Sequence, residues 1–371
     1  MTCVQQRFNS GIAHANSITA MEYRQLGNSG LRVSALTLGT MTFGGRGVFA
    51  KVGQADVTEA TRQIDRALDA GVNLIDTADS YSGGVSEEII GQAMKGRWDR
   101  ALIATKARMP IGGGANDAGL SRHHLIEACE ASLRRLGTDH IDLYQVHAWD
   151  GVTPLEETLS ALDGLLRAGK IRYVGCSNYS GWHLMKALGV SDRTGTARFV
   201  SQQIHYSLQA REAEYELIPI AVDQRVGVLA WSPLAGGLLS GKYRRGVEPP
   251  AGSRRLSGWD EPPVRDEDQL YGIVDALTAI ARERNAAPAQ VALAWLLSRP
   301  AVTSLVIGAR TEEQLAGNLE AVDLVLDPAE LARLDEVSPP PLLYPYWHQA
   351  KIASDRLSPA DLTLLGPHVR Q

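Results

Sequence analysis

Eight short runs rich in Val, Ile and Leu recur along the chain, each followed by a helical pattern or by a loop that leads to one. Apolar runs of this length are typical of strands that are buried on both faces, as in parallel sheets. Strands that alternate with helices indicate βαβ units, and eight such units predict a closed (β/α)8 barrel. The predicted strands end near Gly39, Asp76, Lys106, His147, Ser177, Tyr206, Ser232 and Gly308.

The segments between these runs carry apolar residues at helical spacing. Pro288 stands where a first-turn proline is favoured, and Gly71, Gly137 and Gly169 stand where helices would stop. The predicted helices span residues 56–70, 121–136, 155–169, 268–284, 288–298 and 311–321.

The two ends of the chain and one long loop complete the predicted organisation. Residues 23–33 indicate a β-hairpin that turns at residues 28–30 and plugs the closed end of the barrel. Residues 237–267 are rich in Gly, Pro and Arg, and a loop of this length in a compact domain is usually a functional lid. We predict a flexible N-terminal tail (1–20), a single barrel domain (21–338) and a C-terminal tail (339–371) that packs on the barrel or near its active site.

Composition narrows the class of partner. The chain has 371 residues and a net charge of -5, without a basic stripe for nucleic acid, so we expect a small-molecule partner. No apolar stretch approaches the roughly 20 residues of a membrane span. The three cysteines, Cys3, Cys129 and Cys176, are widely spaced and form no C-x-x-C, which favours a reducing, cytoplasmic location and no metal site. The oligomeric state stays open.

Four ionisable residues stand at or just after the ends of predicted strands: Asp76, Tyr81, Lys106 and His147. The carboxyl ends of barrel strands face the substrate, so polar groups there indicate an enzyme. Tyr81 has the chemistry of a proton donor, provided that a cation such as Lys106 stabilises its phenolate. Asp76 would keep Lys106 protonated, and His147 would orient a substrate oxygen. Taken singly, the four also fit a helix cap, a loop-packing phenol, a surface charge and a satisfied barrel histidine.

Several segments, in order, resemble the aldo-keto reductase superfamily over nearly all of residues 22–337. The segments that carry the resemblance are Leu26–Ser34, Gly71–Tyr81, Gly175–Tyr179 and Trp231–Tyr243. The likeness is greatest to the branch that contains bacterial aldo-keto reductases and the β subunits of voltage-gated potassium channels. It implies a (β/α)8 barrel, a nicotinamide cofactor and a catalytic tetrad formed by the four residues above, with Tyr81 as the acid.

The cofactor would not bind through a Rossmann fingerprint, because no G-x-G-x-x-G follows a strand. The run from Gly236 to Lys242 nearly spells a phosphate-binding loop, but Tyr243 replaces the Ser or Thr that would hold magnesium. A flexible loop is the alternative. The resemblance implies that this run lies across a pyrophosphate, with Lys242 and Arg254 closing over it. Trp231 would stack on the nicotinamide ring, or else pack in the core.

Gly308 and Arg310 precede a predicted helix whose N-terminus is a natural anion site. Arg310 would clamp a 2′-phosphate, which favours NADPH over NADH, unless it is an ordinary surface arginine. One departure from the family is Gly317, where relatives often carry Glu. The resemblance implies as cofactor contacts Thr40, Asp76, Ser177, Asn178, Gln203, Trp231, Ser232, Leu234, Gly236, Lys242, Arg254, Gly308, Arg310, Gln314 and Asn318, with Gln202 as an alternative to Gln203.

The predicted function is therefore NADPH-dependent reduction of an aldehyde or ketone by hydride transfer, with reversible oxidation of a secondary alcohol. The alternative is an NADPH-binding regulatory module with slow turnover, of the channel β-subunit type; the full tetrad favours the enzyme. The substrate stays open between ketosugars, fused-ring ketones and small aldehydes. It would be selected by residues 42–52, 108–119 and 237–267, and by the tail after Ser338. The aromatic run 342–348 of that tail would line the pocket, or else pack outside the barrel or form a subunit contact.

Overall fold

The computed structural model describes residues 21–250, 253–259 and 262–369, without the side chains of residues 254 and 255. The predicted N-terminal tail, residues 1–20, lies outside the described residues. Ten strands are present in this part of the chain. They are β1 (Tyr23–Gln25), β2 (Arg32–Ser34), β3 (Leu36–Gly39), β4 (Leu74–Asp76), β5 (Leu102–Ala107), β6 (Ile141–Val146), β7 (Ile171–Ser177), β8 (Ser201–His205), β9 (Gly227–Trp231) and β10 (Val302–Ile307).

Strands β3 to β10 are all parallel and close into a barrel in the order β10-β3-β4-β5-β6-β7-β8-β9. The predicted barrel is confirmed, and its strands end within one residue of the predicted positions. Strands β1 and β2 pair antiparallel ahead of it, as the hairpin prediction required.

Helices follow the barrel strands. They are α1 (Val57–Asp69), α2 (Val85–Ala93), α3 (Arg122–Leu136), α4 (Leu155–Arg167), α5 (Gly181–Thr194), α6 (Leu217–Gln224), α7 (Glu267–Glu283), α8 (Pro288–Leu297), α9 (Glu312–Leu319), α10 (Pro328–Val337), α11 (Tyr346–Ile352) and α12 (Leu362–Leu365). The six predicted helices are confirmed to within two residues at each end. The predicted spans did not include α2, which follows two glycines, α6, which contains Pro219, or α5, α10, α11 and α12.

The hairpin plugs the N-terminal end of the barrel. Leu26 and Val33 are fully buried against Leu74 and Leu229, near the starts of β4 and β9. The backbone N of Asn28, in the hairpin turn, donates to Arg225 O, between α6 and β9, at 2.7 Å. In the part of the chain that the structure describes, this end is therefore filled by apolar side chains, and the cavity lies at the opposite end.

The long loop between β9 and α7 lies over the open end of the barrel. Lys51 Nζ, from the loop after β3, donates to Gly258 O at 3.1 Å, and the rings of Phe49 and Trp259 are 6.5 Å apart. Two loops thus meet above the strand ends. The C-terminal segment lies elsewhere: the Tyr215 ring stacks on Tyr346 with ring centres 5.4 Å apart. Among the described residues, no helix is both long and apolar enough to span a membrane.

Candidate active site

A buried ion pair lies at the base of the open end of the barrel. Lys106 on β5 and Asp76 on β4 point into the barrel, and Lys106 Nζ lies 2.5 Å from Asp76 Oδ1. Lys106 is fully buried and Asp76 is 1% exposed. Lys106 Nζ also donates to Thr77 O at 2.8 Å and to Tyr81 Oη at 3.4 Å. The charge of the lysine is therefore directed at the tyrosine hydroxyl, and three of the four predicted catalytic residues form one connected chain.

The second carboxylate oxygen of Asp76 is held by two glutamine amides. Gln203 Nε2 on β8 donates to Asp76 Oδ2 at 2.8 Å, and Gln145 Nε2 on β6 donates to the same atom at 3.2 Å. Hydrogen bonds to a carboxylate favour its ionised form, so these amides stabilise the charge that pairs with Lys106. Gln145 is fully buried and does not line the cavity, whereas Gln203 does.

The electrostatics of this chain keep Tyr81 protonated. Burial raises the pKa of Tyr81 by more than the neighbouring Lys106 lowers it, so its pKa is above the usual value. Burial alone would lower the pKa of Lys106, but Asp76 and then Tyr81 outweigh it, so the pKa of the lysine is raised. Lys106 lies where it can stabilise a Tyr81 phenolate, as predicted, but burial outweighs it, so the phenol stays protonated beside the cation.

His147 completes the group at the end of β6. Its ring meets the Tyr81 ring edge-on, with ring centres 5.9 Å apart, and its backbone N donates to Ala107 O at 3.0 Å. Burial, assisted by Lys106 and Arg108, lowers the pKa of His147 to about 3. The imidazole is therefore neutral at physiological pH. Its buried Nδ1 has no hydrogen-bond partner among the described residues.

Polar side chains continue around the ends of β7, β8 and β9. Ser177 Oγ donates to Gln203 O at 3.0 Å, and Asn178 Nδ2 donates to His147 O at 3.0 Å. Trp231 Nε1 donates to Asn178 Oδ1 at 3.1 Å, which fixes the plane of the indole. The alternative to Gln203 is separated from this group: Gln202 Nε2 donates to Leu217 O, in the helical layer outside the barrel.

A cavity of about 1210 Å³ joins these groups to the loops after β9 and β10. The catalytic candidates Asp76, Tyr81 and His147 line it, whereas Lys106 lies beneath. The side chain of Arg254 lies outside the described part of the chain. The other cofactor candidates that line the cavity are Thr40, Ser177, Asn178, Gln203, Trp231, Ser232, Leu234, Gly236, Lys242, Gly308, Arg310, Gln314 and Asn318.

Arg310 is held in place beside the N-terminus of α9. Its Nε donates to Val52 O and its Nη2 donates to Lys51 O, each at 2.8 Å. The backbone N of Arg310 donates to Gln314 Oε1 at 3.1 Å, and Thr311 caps the helix. The guanidinium is therefore bonded to the loop after β3 and is not a freely moving surface group. Gly317 faces open space: an added Cβ would meet nothing within 4 Å.

The cavity suits an extended, anionic cofactor. Its cationic lining residues, Lys242 and Arg310, lie on the β9 and β10 loops, while Trp231 offers a ring surface nearer the strand ends. Gly236 and Gly237 have φ of 64° and 95°, so the loop after β9 turns tightly beside Lys242. Ser253 Oγ, in the long loop, is buried and has no partner among the described residues. These residues fit a dinucleotide that spans from Trp231 to Arg310.

A second buried ion pair lies outside the barrel, between the strands and the helices. Glu87 on α2 is fully buried and lies 2.6 Å from Nη2 of Arg135 on α3. Thr105, next to Lys106 on β5, points outward and donates to Glu87 Oε1 at 2.5 Å. This pair does not line the cavity, so we interpret it as structural.

Sequence reasoning missed Gln145, and it did not single out Phe49 and Trp259 within the predicted substrate-selecting segments 42–52 and 237–267. Gln145 lies on β6, two residues before His147, which follows the strand. Side chains alternate between the two faces of a strand, so both residues are expected on the inner face. This alternation was sufficient to predict the position of Gln145. Phe49 and Trp259 lie in irregular loops, where no periodicity predicts the direction of a ring. No group of three or more His, Cys, Asp or Glu in the described chain is placed to hold a metal ion.

Residues 35–339 match the Aldo/keto reductase family. A 41% identical relative, an uncharacterised oxidoreductase, YrpG, of Bacillus subtilis, aligns over 86% of this chain and 97% of its own length. A probable voltage-gated potassium channel β subunit of Arabidopsis thaliana is 37% identical over 85% of this chain and 96% of its own. Versiconal hemiacetal acetate reductase of Aspergillus parasiticus is 34% identical over 88% of this chain and 99% of its own. The chain belongs to the aldo/keto reductase family.

Proposed function

We propose that this protein reduces an aldehyde or ketone to an alcohol with NADPH, with Tyr81 as the proton donor. The observation that carries the proposal is the connected chain Asp76–Lys106–Tyr81, which ends in a tyrosine hydroxyl at the base of the cavity. A family of carbonyl reductases and oxidoreductase relatives support the reaction class.

Trp231, Lys242 and Arg310 would hold NADPH along the cavity, and the cofactor would supply the hydride. Tyr81 donates its proton to the substrate oxygen as negative charge develops there, because its raised pKa keeps it protonated until that moment. Lys106, 3.4 Å from the phenol oxygen, stabilises the phenolate that forms. Asp76 holds the ammonium in place, and the two glutamine amides hold Asp76.

His147 positions the substrate as a neutral hydrogen-bond donor. The lowered pKa of its imidazole keeps the ring uncharged, so it offers the substrate oxygen a hydrogen bond and no proton of its own. Its edge contact with the Tyr81 ring places both groups on one side of the cavity. The carbonyl oxygen is therefore bound between a phenol and an imidazole, and no metal ion takes part in this mechanism.

Arg310 supports a preference for NADPH over NADH. Its guanidinium is fixed by two backbone carbonyls next to the N-terminus of α9, where an anion is favoured by the helix dipole. A 2′-phosphate at this position would gain a charge-assisted contact that NADH does not offer. Gln314 and Asn318 lie one turn apart on the same helix and are proposed to face the adenine.

A slow NADPH-binding module is the second candidate, since a relative named as a channel β subunit aligns over 85% of this chain. Consumption of NADPH and of NADH at 340 nm, with a panel of aldehydes, ketosugars and cyclic ketones, separates the two. The reductase proposal predicts turnover of at least one carbonyl, with NADPH preferred, and its loss in Tyr81→Phe. Tight NADPH binding and a single turnover without a steady-state rate would favour the module.

A further inference from the structure

The part of the cavity next to Tyr81 is walled by rings. Phe49 lies with its ring centre 5.5 Å from that of Tyr81, and Trp259 lies 6.5 Å beyond Phe49. The His147 ring meets Tyr81 from another direction at 5.9 Å. All four residues line the cavity, and Phe49 and Trp259 are only half-buried. Their uncovered faces offer a surface for a flat, apolar group.

Few charged side chains line the cavity. Among the described side chains, the charged lining residues are Asp76, Lys242 and Arg310. Lys242 and Arg310 follow β9 and β10, and the guanidinium of Arg310 is bonded to Val52 O and Lys51 O, in the loop that also carries Phe49. Asp76 is neutralised by Lys106, and the lowered pKa of His147 leaves that ring uncharged. The loops after β4, β5 and β6 therefore add no cation to the lining of the cavity.

Arg108 is a further cation close to this end of the cavity. It follows β5 directly and contributes to the lowered pKa of His147. It does not line the cavity, and its Nε is buried without a hydrogen-bond partner among the described residues. Residues 109 and 110, Met and Pro, line the cavity in its place. The wall that the loop after β5 offers to a substrate is thus apolar.

We infer that the substrate is an uncharged aldehyde or ketone that carries a flat aromatic ring, which packs against Phe49 and Trp259 while its carbonyl meets Tyr81 and His147. This inference rests on the proposed function and selects among its substrates. Aromatic pairs gain free energy beyond the area that they bury, so a planar ring is favoured over a puckered one of equal size. A carboxylate or phosphate in the same place would lose hydration without gaining an ionic partner.

Four aldehydes separate ring shape from charge. Benzaldehyde is compared with cyclohexanecarbaldehyde, and methyl 4-formylbenzoate with the anion 4-formylbenzoate, by kcat/KM at pH 7 with saturating NADPH. We expect the aromatic member and the uncharged member of each pair to be preferred, each by about 10-fold or more. Equal rates within the first pair, or a preference for the anion in the second, would overturn the inference.

Two tryptophan variants show whether the preference comes from this wall. In Trp259→Leu we expect the ratio of benzaldehyde to cyclohexanecarbaldehyde to fall by about 5-fold, mainly through KM, since the chemistry at Tyr81 is unchanged. Trp182→Leu is the matched control, because Trp182 is 59% exposed and does not line the cavity; its ratio should equal that of the native protein. An unchanged ratio in Trp259→Leu would contradict the inference.

A binding experiment separates failure of this inference from failure of the proposed function. If no carbonyl is reduced, the inference is tested by calorimetric binding of benzamide, benzoate and cyclohexanecarboxamide to the full chain with NADPH present. Tighter binding of benzamide than of the other two supports the aromatic, uncharged site even without turnover. Tighter binding of benzoate, lost in Arg108→Gln, would replace it with an anion site.

Discussion

Two buried ion pairs lie on opposite faces of the same strand. Lys106 of β5 points into the barrel and pairs with Asp76, while its neighbour Thr105 points outward and bonds to Glu87, which pairs with Arg135. Glu87 and Lys106 are both fully buried. The two pairs are alike in chemistry and burial but differ in what they adjoin: the inner pair contacts a cavity-lining phenol, whereas the outer pair lies between β5 and the helical layer, away from the cavity.

The difference shows that a buried charge is not by itself evidence of catalysis. A buried pair requires its partner on either face, because one charge left alone in the interior is strongly unfavourable. We propose a chemical role for the inner pair alone, because the Tyr81 hydroxyl lies within reach of both Lys106 and the cavity. We therefore expect substitutions at the inner pair to lower activity, and substitutions at the outer pair to lower stability alone.

The largest expected effect on activity follows Lys106→Met. Loss of the cation leaves the Tyr81 phenolate without stabilisation, so we expect kcat to fall by at least about 100-fold, as for loss of general acid catalysis. NADPH binding, measured by fluorescence titration, should change little, because Lys106 does not line the cavity. A variant that keeps more than about half of the native kcat would show that the inner pair is only structural.

Arg135→Met should lower the stability of the protein and leave its activity unchanged. It leaves Glu87 buried without its cation, and we expect the free energy of unfolding to fall by about 3–5 kcal/mol in urea titrations. The folded fraction should keep native kcat at low temperature, because Arg135 is outside the barrel. A large loss of kcat without a loss of stability would remove the distinction between the pairs.

His147, inside the barrel, makes the stability of the protein depend on pH. In the folded protein the pKa of His147 is about 3, mainly through burial, while in the unfolded chain it is ordinary, about 6.5. Below pH 6.5 the unfolded chain therefore binds the extra proton, so stability falls as pH falls from about 6.5 toward 3, and this residue has no effect above pH 7. Compared with His147→Asn, the native protein should lose up to about 1.4 kcal/mol more per pH unit in that window. Parallel curves for the two proteins would contradict the lowered pKa.

The two glutamines that hold Asp76 should differ in their effects. Gln145→Leu removes one amide from Asp76 at a fully buried position, and we expect kcat to fall by about 10-fold with NADPH affinity unchanged. Gln203→Leu, on the cavity wall, should lower both kcat and NADPH affinity. Gln202→Leu is the control, since its amide faces the helical layer. Equal effects of Gln145→Leu and Gln202→Leu on kcat would exclude the positioning role.

The smallest expected change is Thr105→Val. It removes the hydroxyl that donates to Glu87 while keeping the shape of the side chain, so we expect a loss of about 1 kcal/mol in the free energy of unfolding. Activity should be native, although the mutated residue adjoins Lys106. A fall in kcat would show that the outer pair is coupled to the inner one through the backbone of β5.

The barrel and its strand ends were predictable because each short run of Val, Ile and Leu is followed by a helical pattern or by a loop that leads to one, which indicates a buried parallel strand. The position of His147 after Val146 required only the alternation of strand and helix. The electrostatic balance at Tyr81 was not predictable: the sequence identified a cation beside the phenol, but only packing determines that burial outweighs it in the pKa. The outer pair of Glu87 and Arg135 joins residues 48 positions apart on two helices, and α2 itself was not predicted.

The loops account for most of what the sequence did not reveal. Phe49 and Trp259 meet across more than 200 residues of chain, and loop backbones have no period that would fix their side chains. The aromatic run 342–348 had been one candidate for the pocket wall. None of it lines the cavity: the Tyr346 ring stacks on Tyr215, which precedes α6, and Tyr215 Oη donates to Pro341 O, next to the run. The division of the chain at residue 338 stays a prediction.

The central claim is that Tyr81, supported by Lys106 and Asp76, donates the proton that completes carbonyl reduction. Its most direct test is the single-turnover rate of oxidation of bound NADPH by the best aldehyde, compared between the native protein and Tyr81→Phe. The account predicts a fall of at least about 100-fold in that rate with an unchanged dissociation constant for NADPH. A Tyr81→Phe variant that oxidises NADPH at the native rate would contradict it.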